Sequence, residues 1–274
     1  MAFTHDPAAF QEAIQDPKWY EAINLELRAL EANGTWVLTD LPPGSKAIGC
    51  KWIFKTKFHS DGTLDKYRAR FVVQGYRQRA GIDFSGTFAP AAKMTTVRTL
   101  LAVVAIKGWH TCQMDVSNAF LHGDLYEEVY MHLPQGYTSS CCVISPLSHK
   151  IVSVPGSGKM CKLVKSLYGL KRAPRQWFAK LSTALVSFGF VQSKADYSLF
   201  TKQVQGKFTA ILANVDDMVV IGNEPQEILK LKHQLSSQFH MKDLGDLRYF
   251  LGLEIVRTSQ DLFVSQKMYV QDLI

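Results

Sequence analysis

Hydrophobic side chains recur in this chain at two spacings, three to four residues in some stretches and two in others, the signatures of a helix face and of a half-buried strand. Trp19, Ile23, Leu27 and Leu30 form one helical stripe, with Asp16-Pro17 before it as N-cap and first-turn proline and Asn33-Gly34 after it as a stop. Residues 51–58 and 67–73 read as two strands around His59-Ser60-Asp61-Gly62, a turn-forming cluster, so a hairpin is expected there. Val97, Leu100, Leu101, Val104 and Ala105 return to helical spacing and stop at Gly108, and 110–116 is compatible with a strand. A further helix is predicted over 174–188, with Trp177, Leu181, Leu185 and Phe188 inward and Gly189 as its stop. Residues 208–213 and 218–221 flank Val215-Asp216-Asp217 as the arms of a hairpin, Pro225 starts a helix carrying Ile228, Leu231, Leu235 and Phe239, and 249–256 and 262–264 read as closing strands. Helices and strands in this irregular order predict an α+β fold with a mainly antiparallel sheet. The Ser-, Pro- and Gly-rich stretch 138–158 predicts a surface loop of unusual length.

Charge adds a second layer. Across 274 residues the net charge is +7, distributed as −5 over 1–45, +9 over 46–107, −3 over 108–158, +7 over 159–182 and −1 over the remainder. Two basic blocks in an otherwise acidic or neutral chain point to phosphates as partners. Within the first block Arg68 and Arg70 are two apart on a predicted strand and therefore share a face. The five cysteines are odd in number and show no CxxC spacing, no histidine joins them at zinc-ligand spacing, and no basic-then-apolar leader precedes them, so a reducing compartment is expected and a structural zinc is not. The apolar run 100–106 is far short of the ~20 residues that span a bilayer, so no membrane partner is expected.

The chemistry concentrates in carboxylates. Asn214-Val215-Asp216-Asp217-Met218 sets two adjacent acids between apolar strand segments, and Met114-Asp115-Val116 repeats the pattern with one acid about a hundred residues upstream. Like charges held side by side repel and are costly to desolvate, which makes them sites for cations. Hard oxygen ligands of this kind suit magnesium. Taken singly, each segment is also what a solvated turn or a strand-end aspartate looks like. Acids from separate strands, together with basic groups for a triphosphate and a nucleic acid backbone, are what two-metal phosphoryl transfer requires.

These residues resemble a known family. The run Lys51-Trp52-Ile53-Phe54, Tyr67-Arg68-Ala69-Arg70, Gln74-Gly75-Tyr76, Gly81-Ile82-Asp83 and Phe88-Ala89-Pro90 is similar to the fingers of copia-type LTR retrotransposon reverse transcriptases. Gln113-Met114-Asp115-Val116-Ser117-Asn118-Ala119-Phe120-Leu121, the stretch Lys165-Ser166-Leu167-Tyr168-Gly169-Leu170-Lys171-Arg172-Ala173-Pro174-Arg175-Gln176-Trp177, Val215-Asp216-Asp217, Met241-Lys242-Asp243-Leu244-Gly245 and Tyr249-Phe250-Leu251-Gly252 continue the series in order.

The resemblance implies a right-hand polymerase with fingers, a ferredoxin-like palm of antiparallel sheet backed by helices, and a partial thumb. It divides the chain into an N-terminal helical apron over 1–45, fingers over 46–108, a palm over 109–240 carrying the 138–158 loop, and the start of the thumb and primer grip over 241–274. It implies an RNA-directed DNA polymerase using two Mg2+ ions, with Asp115, Asp216 and Asp217 as metal ligands and catalytic groups. Its substrates would be an RNA or DNA template with a primer and deoxynucleoside triphosphates. Arg68, Arg70 or both would grip the triphosphate, Phe120 would sit where an aromatic ring excludes a ribose 2′-hydroxyl, and Gly169, Lys171 and Pro174 would shape the floor under template and nucleotide. Asn214 and Val215, and Leu251 and Gly252, would lie along the primer. Asn214 stands where the family has tyrosine, which supports the alternative of an inactive element remnant that binds nucleic acid through its basic fingers. The implied location is the cytoplasm, within a virus-like particle if the parent element is active, with the nucleus as the alternative.

Overall fold

The computed structural model describes residues 5–58, 63–79, 81, 86–137, 158–258, 261–267 and 270. In chain order it runs α1 (Phe10–Ala13), α2 (Pro17–Ala32), β1 (Trp36–Asp40), β2 (Ala47–Ile48), β3 (Cys50–Phe58), β4 (Leu64–Val73), α3 (Met94–Lys107), β5 (His110–Val116), β6 (Tyr130–Met131), β7 (Lys159–Leu163) and α4 (Ala173–Ser187). It continues with β8 (Val191–Gln192), β9 (Leu199–Val204), β10 (Lys207–Asn214), β11 (Asp217–Gly222), α5 (Pro225–Gln238), β12 (Met241–Gly245), β13 (Tyr249–Phe250), β14 (Leu253–Arg257) and β15 (Leu262–Ser265). Single 3-10 turns lie at Gly75–Arg77 and Ala119–His122. The expected turn at 59–62 and loop at 138–157 fall outside the described residues, as does 82–83 of the fingers motif. No helix among the described residues is long and apolar enough to cross a membrane.

Contacts divide the chain into two compact units, Met1–Thr87 with Gly123–Gln176, and Phe88–His122 with Trp177–Ile274. In the first, α2 starts as its sequence dictates: the Asp16 carboxylate accepts from the Lys18 amide at 2.9 Å, and Pro17 occupies the first turn, where its missing N–H costs nothing. The stripe Trp19, Ile23, Leu27 and Leu30 is buried, and Trp19 sets its ring edge-on against Phe54 and Tyr67 of the β3–β4 hairpin. In β4 the burial alternates, Ala69, Phe71 and Val73 inward and Arg68 and Arg70 half-exposed on the other face. A four-stranded sheet in the order β1-β7-β6-β2 completes this unit, its β2–β6 pair parallel.

The open edge of β4 is closed by other parts of the same unit. Phe71 donates its amide to Glu26 of α2 at 3.3 Å, and Val73 donates to the Tyr168 carbonyl at 2.8 Å. The second contact brings two backbones together at glycine. A Cβ on Gly169, which has φ +94°, would stand 2.0 Å from the Val73 carbonyl oxygen, and one on Gly75 would stand 2.1 Å from the carbonyl oxygen of Gly169. Only glycine permits this approach.

The second unit is built on a six-stranded, wholly antiparallel sheet in the order β12-β5-β11-β10-β9-β8. Alternation along β10 and β11 feeds a separate core on each face. Ile211, Ala213, Met218 and Val220 pack with Trp177, Leu181 and Leu185 of α4 and Ile228, Leu231 and Leu235 of α5. Ala210, Leu212, Val219 and Ile221 pack with Val97, Leu101 and Val104 of α3 and with Phe250, Leu253 and Ile255 of a small β13-β14-β15 sheet. One expectation is corrected: 249–256 is not a continuous strand. Leu251 and Gly252, both at positive φ (50° and 77°), turn the chain back so that Phe250 pairs with Leu253. A two-residue hairpin turn of this kind needs positive φ at both central positions, and leucine in the first of them hides the signal that a leading glycine or asparagine would give.

The glycine contact yields a prediction. Gly169→Ala should lower the stability of the first unit by ~3 kcal/mol or more, because backbone must move to admit the methyl group. Urea unfolding followed by Trp fluorescence tests this; a midpoint within error of the parent would mean that the two backbones do not meet.

Candidate active site

The antiparallel register of β5 and β11 sets Asp115 opposite Asp217, with Met114 opposite Met218 beside them. Because side chains alternate, the two methionines enter the α4–α5 core while both carboxylates emerge together on the other face, half-buried at the sheet's end. Asn214 pairs with Asp217 to close the β10–β11 hairpin, leaving Val215-Asp216 as its two-residue turn. The three acids predicted from sequence are thus neighbours. On the far side of β5, Lys242 of β12 stands in register with Asp115.

That turn is strained and held. Val215 has φ 57°, a left-handed conformation that a β-branched residue enters only at a cost of order 1–3 kcal/mol. Its carbonyl accepts the Trp177 indole N–H at 2.7 Å, and the Asp216 carbonyl accepts the Val116 amide at 2.9 Å. Trp177 is itself buried against Phe239 and His122. The sequence marked Trp177 only as a core position, and no local signal distinguishes an indole that reaches a turn from one that merely fills space.

Burial pushes the Asp217 carboxyl above its ordinary range, and the neighbouring charges of Asp216 and Asp115 push it further, against a hydrogen bond from Gln113. A cluster with this excess of negative charge attracts a hard dication. Among the described residues no three His, Cys, Asp or Glu side chains close around one point. Magnesium needs no such cage, since it is commonly held by one or two carboxylates with waters and substrate phosphates completing the octahedron. The donor set therefore fits magnesium.

The other predicted residues distribute as follows. Phe120 lies in the 3-10 turn after β5, packed in part on the α4–α5 core. Leu251 and Gly252 form the β13–β14 turn. Arg68, Arg70, Gly169, Lys171 and Pro174 belong to the first unit, which holds residues 46–87 and 159–176 of the two basic blocks. The Arg70 guanidinium lies 4.0 Å from the centroid of the Tyr168 ring, the Lys171 amide donates to the Gln78 side chain at 3.0 Å, and Pro174 sits in the first turn of α4. Glu26, which sequence reading passed over as one more polar helix position, adds a carboxyl whose ionisation burial opposes and whose charge Arg70 and Arg68 favour.

A family model described as reverse transcriptase (RNA-dependent DNA polymerase) matches residues 33–274. The retrovirus-related Pol polyprotein from transposon RE2 of Arabidopsis thaliana is 40% identical over 275 residues, covering 100% of this chain and 18% of that protein. The corresponding polyprotein from transposon TNT 1-94 of Nicotiana tabacum is 39% identical over 98% of this chain and 20% of its own length. The chain thus spans about a fifth of these relatives. Among solved structures, a foamy viral protease-reverse transcriptase in complex with double-stranded DNA aligns over 93% of this chain and 37% of its own, at 16% identity and a TM-score of 0.44.

Repulsion within the carboxylate cluster should be measurable as lost stability. An acid whose folded pKa is raised favours the fold while protonated, so its contribution declines as pH rises from the ordinary carboxylate range through the folded pKa. Without divalent metal at neutral pH, Asp217→Asn should raise the thermal midpoint by roughly 1–3 °C, solvent screening keeping the effect small, and the gain should vanish at pH 3. A midpoint lowered at neutral pH by calorimetry would contradict the repulsion.

Proposed function

Because the chain belongs to the reverse transcriptase (RNA-dependent DNA polymerase) family, we propose that it adds deoxynucleotides to the 3′ end of a primer on an RNA or DNA template. The observation that carries this reading is the register that opposes Asp115 and Asp217, with Asp216 in the adjoining turn. Reverse transcriptases use divalent metal ions. Here Asp115, Asp216 and Asp217 would hold two Mg2+ ions, which when bound lower the pKa of the primer hydroxyl and shield the charge of the triphosphate.

The chain's own groups supply position and charge. The Val215-Asp216 turn, pinned by Trp177 and Val116, keeps the carboxylates from spreading apart. Phe120, on the turn that leaves β5, is the specificity element that disfavours a ribose 2′-hydroxyl. Arg68 and Arg70 neutralise the triphosphate, and the face of Tyr168 limits where the Arg70 guanidinium can go. The Gly169–Lys171 segment, fixed to β4 by the glycine contact and to Gln78, forms the floor for template and nucleotide. Asn214, Val215, Leu251 and Gly252 flank the primer.

Primer extension on the purified chain tests the assignment. Asp216→Asn should reduce turnover at least a hundredfold at unchanged folding, and Arg68→Ala with Arg70→Ala should raise the KM for deoxynucleotide about tenfold, ~1.4 kcal/mol of triphosphate binding, while template-primer affinity changes less than twofold. Full turnover in Asp216→Asn would remove the carboxylate reading. A folded parent that binds template-primer and never extends it would establish the binding-only remnant instead.

A further inference from the structure

One buried carboxylate takes no part in the chemistry described so far. Asp196, in the β8–β9 connection, is 4% exposed and is aimed into the second unit rather than at solvent. Its Oδ2 accepts the Lys93 amide at 3.1 Å and the Thr96 hydroxyl at 2.6 Å, and its Oδ1 accepts the Ser198 amide at 3.0 Å and the Ser198 hydroxyl at 2.6 Å. Lys93, the N-cap of α3, has no capping side chain of its own, and α3 has no acid in its first turn. Asp196 supplies both from a different part of the chain. Although burial opposes its ionisation, the Ser198 and Thr96 hydroxyls and the two amides hold it below the usual carboxylate range.

Both segments that Asp196 joins go on to grip the base of the carboxylate turn. The Ser198 carbonyl accepts the Ala213 amide at 2.9 Å, and Ala92, one residue before the α3 cap, donates its amide to the Asn214 side chain at 3.4 Å. Ala213 and Asn214 are the last residues of β10 before Val215-Asp216. Asn214 therefore has a task here that a phenol ring could not perform in the same way, that of accepting a backbone N–H.

We propose that Asp196 is a positioning residue for the carboxylate cluster, acting through the Ser198–Ala213 and Ala92–Asn214 tethers to fix the end of β10 that presents Asp216 and Asp217. The inference rests on the reading of Asp115, Asp216 and Asp217 as metal ligands. A helix cap alone would affect stability; a positioning residue also sets how tightly the carboxylates take up a dication and how fast the bound substrate reacts.

Mn2+ binding to the full chain, followed by electron paramagnetic resonance, separates the two without depending on turnover. The parent should bind Mn2+, and Asp216→Asn should abolish the binding. Asp196→Asn, folded by circular dichroism, should weaken it about fivefold, less than the 10–100-fold typical when a group in contact with a ligand is lost. In primer extension the same variant should lose about tenfold in kcat with the deoxynucleotide KM within twofold. Thr96→Val and Ser198→Ala should shift both readouts the same way by about twofold, and they decide the matter if Asp196→Asn does not fold. Should folded Asp196→Asn, or both milder variants, bind Mn2+ as the parent does while only the thermal midpoint falls, Asp196 is a helix cap and the inference is wrong. If the parent shows no Mn2+ binding sensitive to Asp216→Asn, the metal-ligand reading fails and takes the inference with it.

Discussion

Everything at the candidate site depends on two like charges being held opposite each other by a register they would not choose themselves. Asp115 and Asp217 face one another because Met114 and Met218 pair beside them and are buried on the reverse side. Slipping β11 by one residue would turn Met218 and Val220 out of the α4–α5 core and carry the Asp217 carboxylate into it. That exchange costs several kcal/mol of apolar burial plus the desolvation of an acid, far more than the repulsion it would relieve. Two cores, one on each face of the sheet, thus enforce an electrostatically unfavourable arrangement, one that a dication would reconcile.

The same economy explains the turn between β10 and β11. Valine at φ 57° is a poor choice for a hairpin judged by local preference, and glycine or asparagine would form it with less strain. The conformation persists because Trp177 and Val116 satisfy the two turn carbonyls, and because the strand leading into it is tied to Ser198 and Ala92. Strain that is over-determined by its surroundings concentrates where geometry matters most.

Much of this was legible in the sequence where the cause was local. The Asp16-Pro17 cap, the α2 stripe and the strand from His110 to Val116 follow from residue type and spacing alone. The hairpin around Val215-Asp216-Asp217 was visible as apolar arms flanking acids, although its strain was not. Strands β1, β7, β9 and β12 escaped notice because Thr, Lys, Gln and Asp interrupt their alternation and partners distant in sequence settle their conformation. The β13–β14 turn was hidden by Leu251. No spacing rule could have joined Arg70 to Tyr168 or Asp196 to Thr96, since each pair is separated by about a hundred residues and meets only in the folded chain.

The charge blocks point to phosphates as partners, and the first unit holds most of both blocks: within it β4 and the Tyr168–Lys171 segment share backbone contacts through Gly75 and Gly169. The acidic cluster and its supports lie in the second unit. If Asp115, Asp216 and Asp217 together bind a dication, a redox-active ion in its place will mark them on the chain. Substituting Fe2+ and generating hydroxyl radicals with ascorbate and peroxide cuts a polypeptide beside the bound metal. Cleavage is expected at two places remote in sequence, near residue 115 and near residue 216, both suppressed by excess Mg2+. Cuts elsewhere, or at these places without protection by Mg2+, would contradict a dication bound by the three acids.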